Sequence, residues 1–347
     1  MSMNSGISRP PVMEDVAKLA SVSHQTVSRV LNAHPNVRKA TRERVEKAIA
    51  ELGYRPNTAA RSLITRRSQT IGVLGSDLSY FGPANTLLGV QQAARGLGYF
   101  VSMASLDEVT PAAIRDALEY FMTQSVDGIV VIVAHKAMFE SLRTTSLSVP
   151  LVAVGFGVDE GLSIAAVDQR LGASLAVQHL TDLGHKTIAH ISGPEEWIDA
   201  TARIDGWRCT LAQSGLPDSV LVRGDWSAES GYRAGLDLVS ADNVTAVFAA
   251  NDQMALGALR AFSEVGLRVP LDISVVGYDD QPEAAYFSPP LTTVNQGFKD
   301  LGARCIQKLL SEIAGGHVGE DSVAIPVLVT RSSTSSPFQR RSNPASA

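Results

Sequence analysis

Short apolar runs alternate with helix-length segments from residue 70 onward, and this alternation restricts the chain to few folds. Runs at 71–74, 101–104, 128–133, 151–154, 187–191, 220–223, 246–250 and 273–277 have the length of buried strands. Between them, 87–97, 111–123, 172–183, 200–213, 229–240, 252–265 and 298–313 carry apolar residues at helical spacing. Strand and helix taking turns predict parallel, doubly wound sheets, since parallel neighbours need a crossover and a helix provides one. The series is too long for one sheet, and 347 residues at 45% hydrophobic content can build more than one packed core.

The first seventy residues read differently. They hold 12 Lys and Arg against 5 Asp and Glu, a net charge of about +7, whereas the remainder carries about −12. A basic head on an acidic body points the head at a polyanion, because neutralising phosphates releases condensed counterions. A first helix is predicted over 14–20, with Val16, Leu19 and Ala20 on one side, and Ser21 and Val22 make the turn that follows. Ser23 can cap a second helix through its hydroxyl. In that helix Ser23, His24, Gln25, Ser28, Arg29 and Asn32 oppose Val27, Val30 and Leu31. A loop at 33–37 intervenes, and Thr41 with Glu43 opens a third predicted helix over 42–52, stopped by Gly53. Three short helices around one small core, the second with a polar outer face, make a DNA-reading helix-turn-helix head.

Other chemistries are poorly served. Asp279 and Asp280 invite a glycosidase reading, but adjacent residues at a strand end point to opposite sides and cannot easily flank one glycosidic bond. His179, His185 and His190 fall on a helix, its turn and a strand without cysteine or carboxylate companions at ligand spacing, so they read as structural. Gly155-x-Gly157 lacks the third glycine and the helix of a dinucleotide fingerprint. Neither a cofactor, a metal nor a catalytic residue is expected. Cys209 and Cys305 fit no metal or disulfide pattern and read as buried thiols in a reducing compartment. Trp207 and Tyr232 read as packing residues, and Trp226 as a ligand contact. No stretch of eighteen apolar residues exists and residues 1–11 lack a hydrophobic signal core, so a soluble, cytoplasmic protein with no membrane contact is expected. Residues 331–347 are rich in Ser, Pro and Arg and read as a disordered tail.

Four stretches of the head carry a resemblance: Asp15-Val16-Ala17, Val22-Ser23-x-x-Thr26-Val27-Ser28-Arg29-Val30-Leu31-Asn32, Thr41-Arg42-Glu43-Arg44-Val45 and Leu52-Gly53-Tyr54-Arg55-Pro56-Asn57. The chain resembles the LacI/GalR family of bacterial transcription regulators. The resemblance implies that the second helix enters the major groove with His24, Gln25 and Arg29 at the base edges. The chemistry agrees, because Arg can make two bonds to guanine and Gln two to adenine, while Ser23, Thr26, Ser28 and Asn32 suit phosphate or sugar. Residues 57–64 are similar to the family's hinge helix, which implies that Asn57, Ala60 and Leu63 meet the minor groove and that Leu63 wedges a base step. Two positions depart from the pattern: Val12 stands where the family usually has a capping Thr, and Ser21 where it usually has a turn Gly.

The resemblance extends through the body at Gly224-Asp225-Trp226-Ser227-Ala228, at 250–258, at 272–280 and at Pro289-Pro290-Leu291-Thr292-Thr293. It implies a head at 12–56, a hinge at 57–68 and a body at 69–330. That body would be α/β and periplasmic-binding-protein-like, two doubly wound parallel-sheet subdomains with crossings near Ser163, Thr292 and His317. Ligands of such folds sit at the carboxyl ends of the strands. By position, Ser76, Pro83, Arg203, Trp226, Asn251, Gln253, Asp279, Gln296 and Phe298 would face a sugar. Carboxylate, amide and guanidinium groups pair with vicinal hydroxyls, and an indole covers the apolar face of a pyranose. The departures gather at one end. Gly155 and Asp199 stand where the galactoside-binding pattern has an aspartate and a serine, Val167 replaces a phenylalanine and Trp197 is bulkier. The acidic group has moved to the opposite wall, which adds Asp199 to the expected ligand set. The tail lacks the leucine heptads of tetrameric members, so a homodimer is expected. The whole implies a repressor released from a near-palindromic operator by a galactoside or related sugar. The rival within the family is a corepressor mechanism, in which the small molecule strengthens DNA binding, as purines do in some members. A sugar-transport receptor is opposed by the absent signal core and the basic head, and a sugar-processing enzyme by the absent catalytic pair.

Overall fold

The structure, a computed structural model, describes residues 9, 11–31, 34–54, 67–155, 162–218, 220–241, 243–316 and 322–337. Two compact units divide the chain, Met1–Ser68 and Gln69–Ala347.

In the first unit α1 (Met13–Leu19), α2 (His24–Leu31) and α3 (Lys39–Leu52) enclose a small core that includes Val16, Val27, Val30, Val45 and Tyr54. Isolated helices shorter than about 12–15 residues are marginal in water, so it is this shared core that holds α1 and α2. α3 begins at Lys39 rather than at Arg42, because the Arg38 carbonyl already accepts from the Thr41 and Arg42 N–H groups at 2.9 and 3.0 Å. Thr41 therefore lies inside the first turn. Val12 occupies the N-cap of α1 and has no acceptor to offer. The Asp15 carboxylate supplies half a capping box by accepting from the Val12 N–H at 2.9 Å. Ser21 takes the left-handed conformation at φ 52°, where glycine would sit at least cost.

The second unit holds two parallel sheets among its described residues. Six strands form the first: β1 (Thr70–Ser76), β2 (Phe100–Leu106), β3 (Gly128–Ile132), β4 (Leu151–Gly155), β5 (Ser163–Val167) and β11 (Ser322–Ala324). Their order is β11-β5-β4-β3-β1-β2. The second sheet has the order β7-β6-β8-β9, from β6 (Ile188–Ser192), β7 (Leu221–Arg223), β8 (Ala246–Ala249) and β9 (Ser274–Val276). β3, β6 and β8 are buried along their whole length, as parallel strands covered by helices on both faces must be. The covering helices are α4 (Phe81–Gly96), α5 (Pro111–Thr123), α6 (Lys136–Arg143), α7 (Gln169–Asp182), α8 (Ile198–Gln213), α9 (Ala228–Val239), α10 (Asp252–Glu264) and α11 (Phe298–Ile313).

The chain crosses between the two sheets later than the sequence suggests. β5 completes its pairing with β4 before leaving, so the first crossing is at Asp168, whose N–H donates to the Ala324 carbonyl at 3.1 Å. The second follows β10 (Thr293–Asn295), at Gln296 and Gly297 rather than at Thr292, which still bridges Val276 of the second sheet. α11 then returns to the first subdomain and lies on α4. A Cβ at Gly302 would strike the Gly89 backbone, so this helix pair requires glycine there. The third crossing falls after Ala324 rather than near His317, because β11 still pairs with β5. β12 (Val327–Val329) then pairs antiparallel with β10.

The expectation of a disordered tail from Arg331 is wrong for 331–337. Arg331 Nη2 donates to Asp280 Oδ1 at 2.6 Å and Nη1 to the Leu291 carbonyl at 2.7 Å. Ser333 is fully buried, and its carbonyl accepts from the Val275 N–H at 2.9 Å. The reason is that β9 is an edge strand whose outer N–H groups need partners, and this segment provides them. Residues 338–347 lie outside the described residues. Cys305 is buried as expected, but Cys209 is only half-buried, with its sulfur 3.2 Å from Arg170 Nη2.

Ser333→Ala tests the docked segment. It would strand the Thr292 N–H that Ser333 Oγ accepts at 2.8 Å, at an expected cost of about 1–3 kcal/mol in urea unfolding of the full chain. In the head, Ser21→Gly relieves the left-handed residue and Val12→Thr restores a cap. Each is expected to slow hydrogen exchange of head amides, by the equivalent of about 0.5–1 kcal/mol.

Candidate functional site

Two separate surfaces carry the candidate chemistry. In the head, α2 turns Val27 and Val30 inward and leaves Ser23, His24, Gln25 and Arg29 exposed, with Thr26 and Ser28 half-buried. Gln25 and Arg29 are one turn apart and so share a face. The Ser23 hydroxyl accepts from the Thr26 N–H at 3.1 Å and lies 2.9 Å from Thr26 Oγ1, so it caps the helix as expected. Asn32 and the hinge residues Asn57, Ala60 and Leu63 lie outside the described residues.

In the second unit a cleft opens between the subdomains at the carboxyl ends of β3, β4 and β5. Its volume is about 450 Å³ including the space open to solvent, of which about 50 Å³ is open to the centre of a water-sized sphere. Pro83 and Thr86 of α4, Gly155, Val167, Gln169, Trp197, Asp199, Gln296 and Phe298 are among its lining residues. Behind them runs a chain of buried hydrogen bonds. Arg203 Nε donates to Gln169 Oε1 at 3.0 Å, Gln169 Nε2 to Gln296 Oε1 at 2.7 Å, and Gln296 Nε2 to Asp279 Oδ1 at 2.6 Å. Arg203 also donates from Nη1 to the Ala250 carbonyl at 2.5 Å and lies over the Tyr278 ring, 3.9 Å from its centroid. Its remaining nitrogen, Nη2, stands 3.7 Å from Asp199 Oδ2.

The strand ends beside the cleft are conformationally strained. Asp77, Trp226, Asp279 and Asp280 all have positive φ, at 56°, 74°, 108° and 52°. Asn251 supports one of them: its Nδ2 donates to the Trp226 carbonyl at 3.0 Å while its Oδ1 caps α10 by accepting from the Met254 N–H at 2.8 Å.

Comparison with known proteins assigns both units. Residues 12–57 match the family of bacterial regulatory proteins, lacI family, and residues 177–334 match a periplasmic binding protein-like domain. The lactose operon repressor of Escherichia coli K12 is 35% identical over 341 residues, covering 97% of this chain and 94% of that one. The chain belongs to the LacI family. The HTH-type transcriptional regulator CelR of Thermobifida fusca is 38% identical over 88% of this chain and 93% of its own. Among solved structures, the lac repressor dimer bound to operator and the anti-inducer ONPF superposes with a TM-score of 0.84 at 35% identity, over 94% of this chain and 100% of that chain. A CelR–cellobiose complex does so with a TM-score of 0.69 at 34% identity, over 93% and 99%.

Against the residues expected for a LacI-family ligand, the structure divides the set. Pro83, Asp199, Gln296 and Phe298 line the cleft. Arg203 and Asp279 sit one residue behind it, joined to it through Gln169 and Gln296. Ser76, Trp226, Asn251 and Gln253 are not lining residues. Ser76 is buried at the end of β1 with no hydrogen-bond partner for Oγ among the described residues, and both polar ends of Asn251 are engaged within the chain. Gln253 is half-buried in the first turn of α10. Gln169 was not foreseen, although its place two residues past a strand's carboxyl end was the available signal. Trp207 packs as expected, with its Nε1 donating to the Ile188 carbonyl at 3.1 Å. Tyr232 is half-buried, and its hydroxyl donates to Glu264 at 2.5 Å. The three histidines have structural partners. His190 stacks on Phe248 with centroids 4.6 Å apart and its Nδ1 donates to the Phe248 carbonyl at 2.8 Å, while burial lowers its pKa to about 3. His179 and His185 contact Thr334 and Ser335 of the docked terminal segment. Asp279 and Asp280 do diverge, the first toward Gln296, the second toward Asn295 and Arg331.

Burial, opposed by the Arg203 charge and the Gln296 amide, pushes the Asp279 carboxyl up from 3.8 to about 7. An unfolded chain would ionise this group near 3.8, so between that pH and about 7 the unfolded state holds fewer protons and stability falls as pH rises. Denaturant titrations across this window should show the protein losing stability relative to Asp279→Asn, with no further divergence above it.

Proposed function

We propose that the chain is a sugar-responsive transcriptional repressor. It acts as a homodimer whose two heads read two half-sites of a near-palindromic operator, and whose cleft takes an inducer sugar, a galactoside or a related one. The observation that carries this reading is the presence in one chain of two sites: the exposed His24, Gln25 and Arg29 of α2, and the cleft backed by the Arg203–Gln169–Gln296–Asp279 chain. Relatives named for the lactose and ribose operons, and a relative solved with cellobiose, support it.

In this reading Arg29 and Gln25 make paired bonds to bases, His24 adds one more, and Ser23, Thr26, Ser28 and Asn32 engage phosphate or sugar. Asn57, Ala60 and Leu63 of the hinge segment meet the minor groove, where an apolar side chain can wedge a base step. The sugar meets Pro83, Asp199, Gln296 and Phe298 directly, and Arg203 and Asp279 wherever it displaces the intervening amides. Ser76, Trp226, Asn251 and Gln253 shape the strand ends around it. No step of the reading involves catalysis or a cofactor. The protein works in the cytoplasm without membrane contact, and among the described residues no helix is long and apolar enough to cross a membrane. Release from the operator requires that the sugar bind the DNA-free conformation more tightly, since equal affinity for both states shifts nothing.

Arg29→Ala is the test of the head. Binding to an operator selected from random DNA should weaken by roughly 10- to 100-fold, the worth of one bidentate base contact, in fluorescence anisotropy at fixed salt. Affinity for random duplex should change far less, and equal weakening of both would remove the base-reading role.

A further inference from the structure

Three helices of the body open without a side-chain cap, and they open at one place. α5, α7, α9 and α10 are capped by the side chains of Thr110, Asp168, Ser227 and Asn251. At the same position of α4, α6 and α8 stand the rings of Tyr80, His135 and Trp197, and none of them caps its own helix. The rings meet one another instead. Trp197, 6% exposed, packs edge-on against Tyr80 with centroids 5.5 Å apart, and its centroid lies 5.0 Å from that of His135. His135 Nε2 donates in turn to Asp77 Oδ2 at 2.7 Å.

Asp77, Tyr80 and His135 follow strands of the first sheet and Trp197 follows β6 of the second, so the rings form a seam across the subdomains. The first N–H groups of two uncapped helices are spent on the same seam. The Ile198 N–H of α8 donates to the Ala134 carbonyl at 3.1 Å, and the Lys136 N–H of α6 to the Glu196 carbonyl at 3.2 Å. Each helix thus has a terminal donor satisfied only by the opposite subdomain. Ala134, just past β3, is buried in the apolar core of the second subdomain, with Tyr80 packed against it. The cleft beside this seam is narrow. About 50 Å³ of it is open to the centre of a water-sized sphere, and one water takes about 10–15 Å³ of such space. A pyranose with its hydroxyls exceeds the few waters that fit, so the subdomains must part to admit one. The chain crossings cannot come apart, whereas the seam is held only by hydrogen bonds and ring contacts.

We infer that the Tyr80–His135–Trp197 seam is a latch: His135, seated on Asp77, holds the subdomains together, and a ligand enters the cleft only when the seam opens. His135 is a positioning residue, acting through Trp197 on the width of the cleft. That the ligand is a sugar rests on the sugar-responsive reading above; the latch is built from this chain's own contacts and can be tested without any sugar.

Hydrogen exchange of the full chain tests the latch directly, because the Ile198 and Lys136 amides exchange only when the seam opens. His135→Ala should speed both about tenfold, equivalent to about 1.4 kcal/mol, the worth of one hydrogen bond, and leave the β3 and β8 amides unchanged. His135→Gln keeps a donor where Nε2 stands and should stay closer to the unaltered protein. Asp77→Asn removes the charge while tolerating the left-handed backbone at that position; it is the second breaking variant and should move the same two amides. Unchanged seam amides would overturn the inference, since the subdomains would then turn about a seam that stays shut. Acceleration shared equally by β3 and β8 would overturn it too, as a plain loss of stability. Stopped-flow binding with the tightest of a panel of aldohexoses, aldopentoses and disaccharides adds the functional arm. His135→Ala should take up that sugar about tenfold faster and bind it more tightly, because a larger fraction of the protein is open beforehand. Slower or weaker binding would sink the latch. A panel in which no sugar binds counts against the sugar-responsive reading alone, and the exchange result still decides the latch.

Discussion

The cleft side of the body is arranged around one buried guanidinium, that of Arg203. Removing one partner from a buried charge costs several kcal/mol, so the Arg203 guanidinium can persist at 4% exposure only if its surroundings are polar and fixed. The Gln169 amide, the Ala250 carbonyl and the Tyr278 ring supply that environment. Gln169 in turn holds Gln296, and Gln296 holds Asp279. Each member faces one way only, because an amide that gives its oxygen to one neighbour has its nitrogen left for the next. These residues stand where the chain passes between subdomains: Gln169 follows the first crossing at Asp168, and Gln296 is the second. A ligand that takes a bond from any of them therefore acts directly on the segments that join the two subdomains.

The same region stores backbone strain. Positive φ values at Asp77, Trp226, Asp279 and Asp280 cost of order 1–3 kcal/mol each and persist only where the surroundings impose them. Asn251 holds Trp226 by its carbonyl, Gln296 holds Asp279, and Arg331 with Asn295 holds Asp280. The docked segment 331–337 is thus part of the support for the cleft, although it lies in a stretch whose composition reads as disordered. Edge-strand N–H groups of β9 recruit it, and composition does not report which backbone donors a sheet leaves open.

The head depends on different physics. Its core is small, its helices are short, and two of its local solutions are second best, a capless Val12 and a left-handed Ser21. Both are affordable because neither touches the outer face of α2, where His24, Gln25 and Arg29 stand free of the core. The core contacts and the polar outer face belong to opposite sides of one helix, so the first can be improved without altering the second.

Alternating strand and helix patterns, the Ser23 cap, the apolar side of α2 and the divergence of Asp279 from Asp280 were all legible in the sequence. Each is settled by neighbours a few residues apart, through helical or strand periodicity and local hydrogen bonding. The family resemblance brought Pro83, Asp199, Arg203, Asp279, Gln296 and Phe298 into view, but not how they divide between the cleft surface and the layer behind it. That division, the displaced crossings at Asp168 and Ala324, the Trp197 seam and the bond between Gln169 and Gln296, 127 residues apart, belong to the tertiary structure alone. They follow from which strands pair and in what register, and no local pattern in the chain encodes the distance between residues that such pairing brings together.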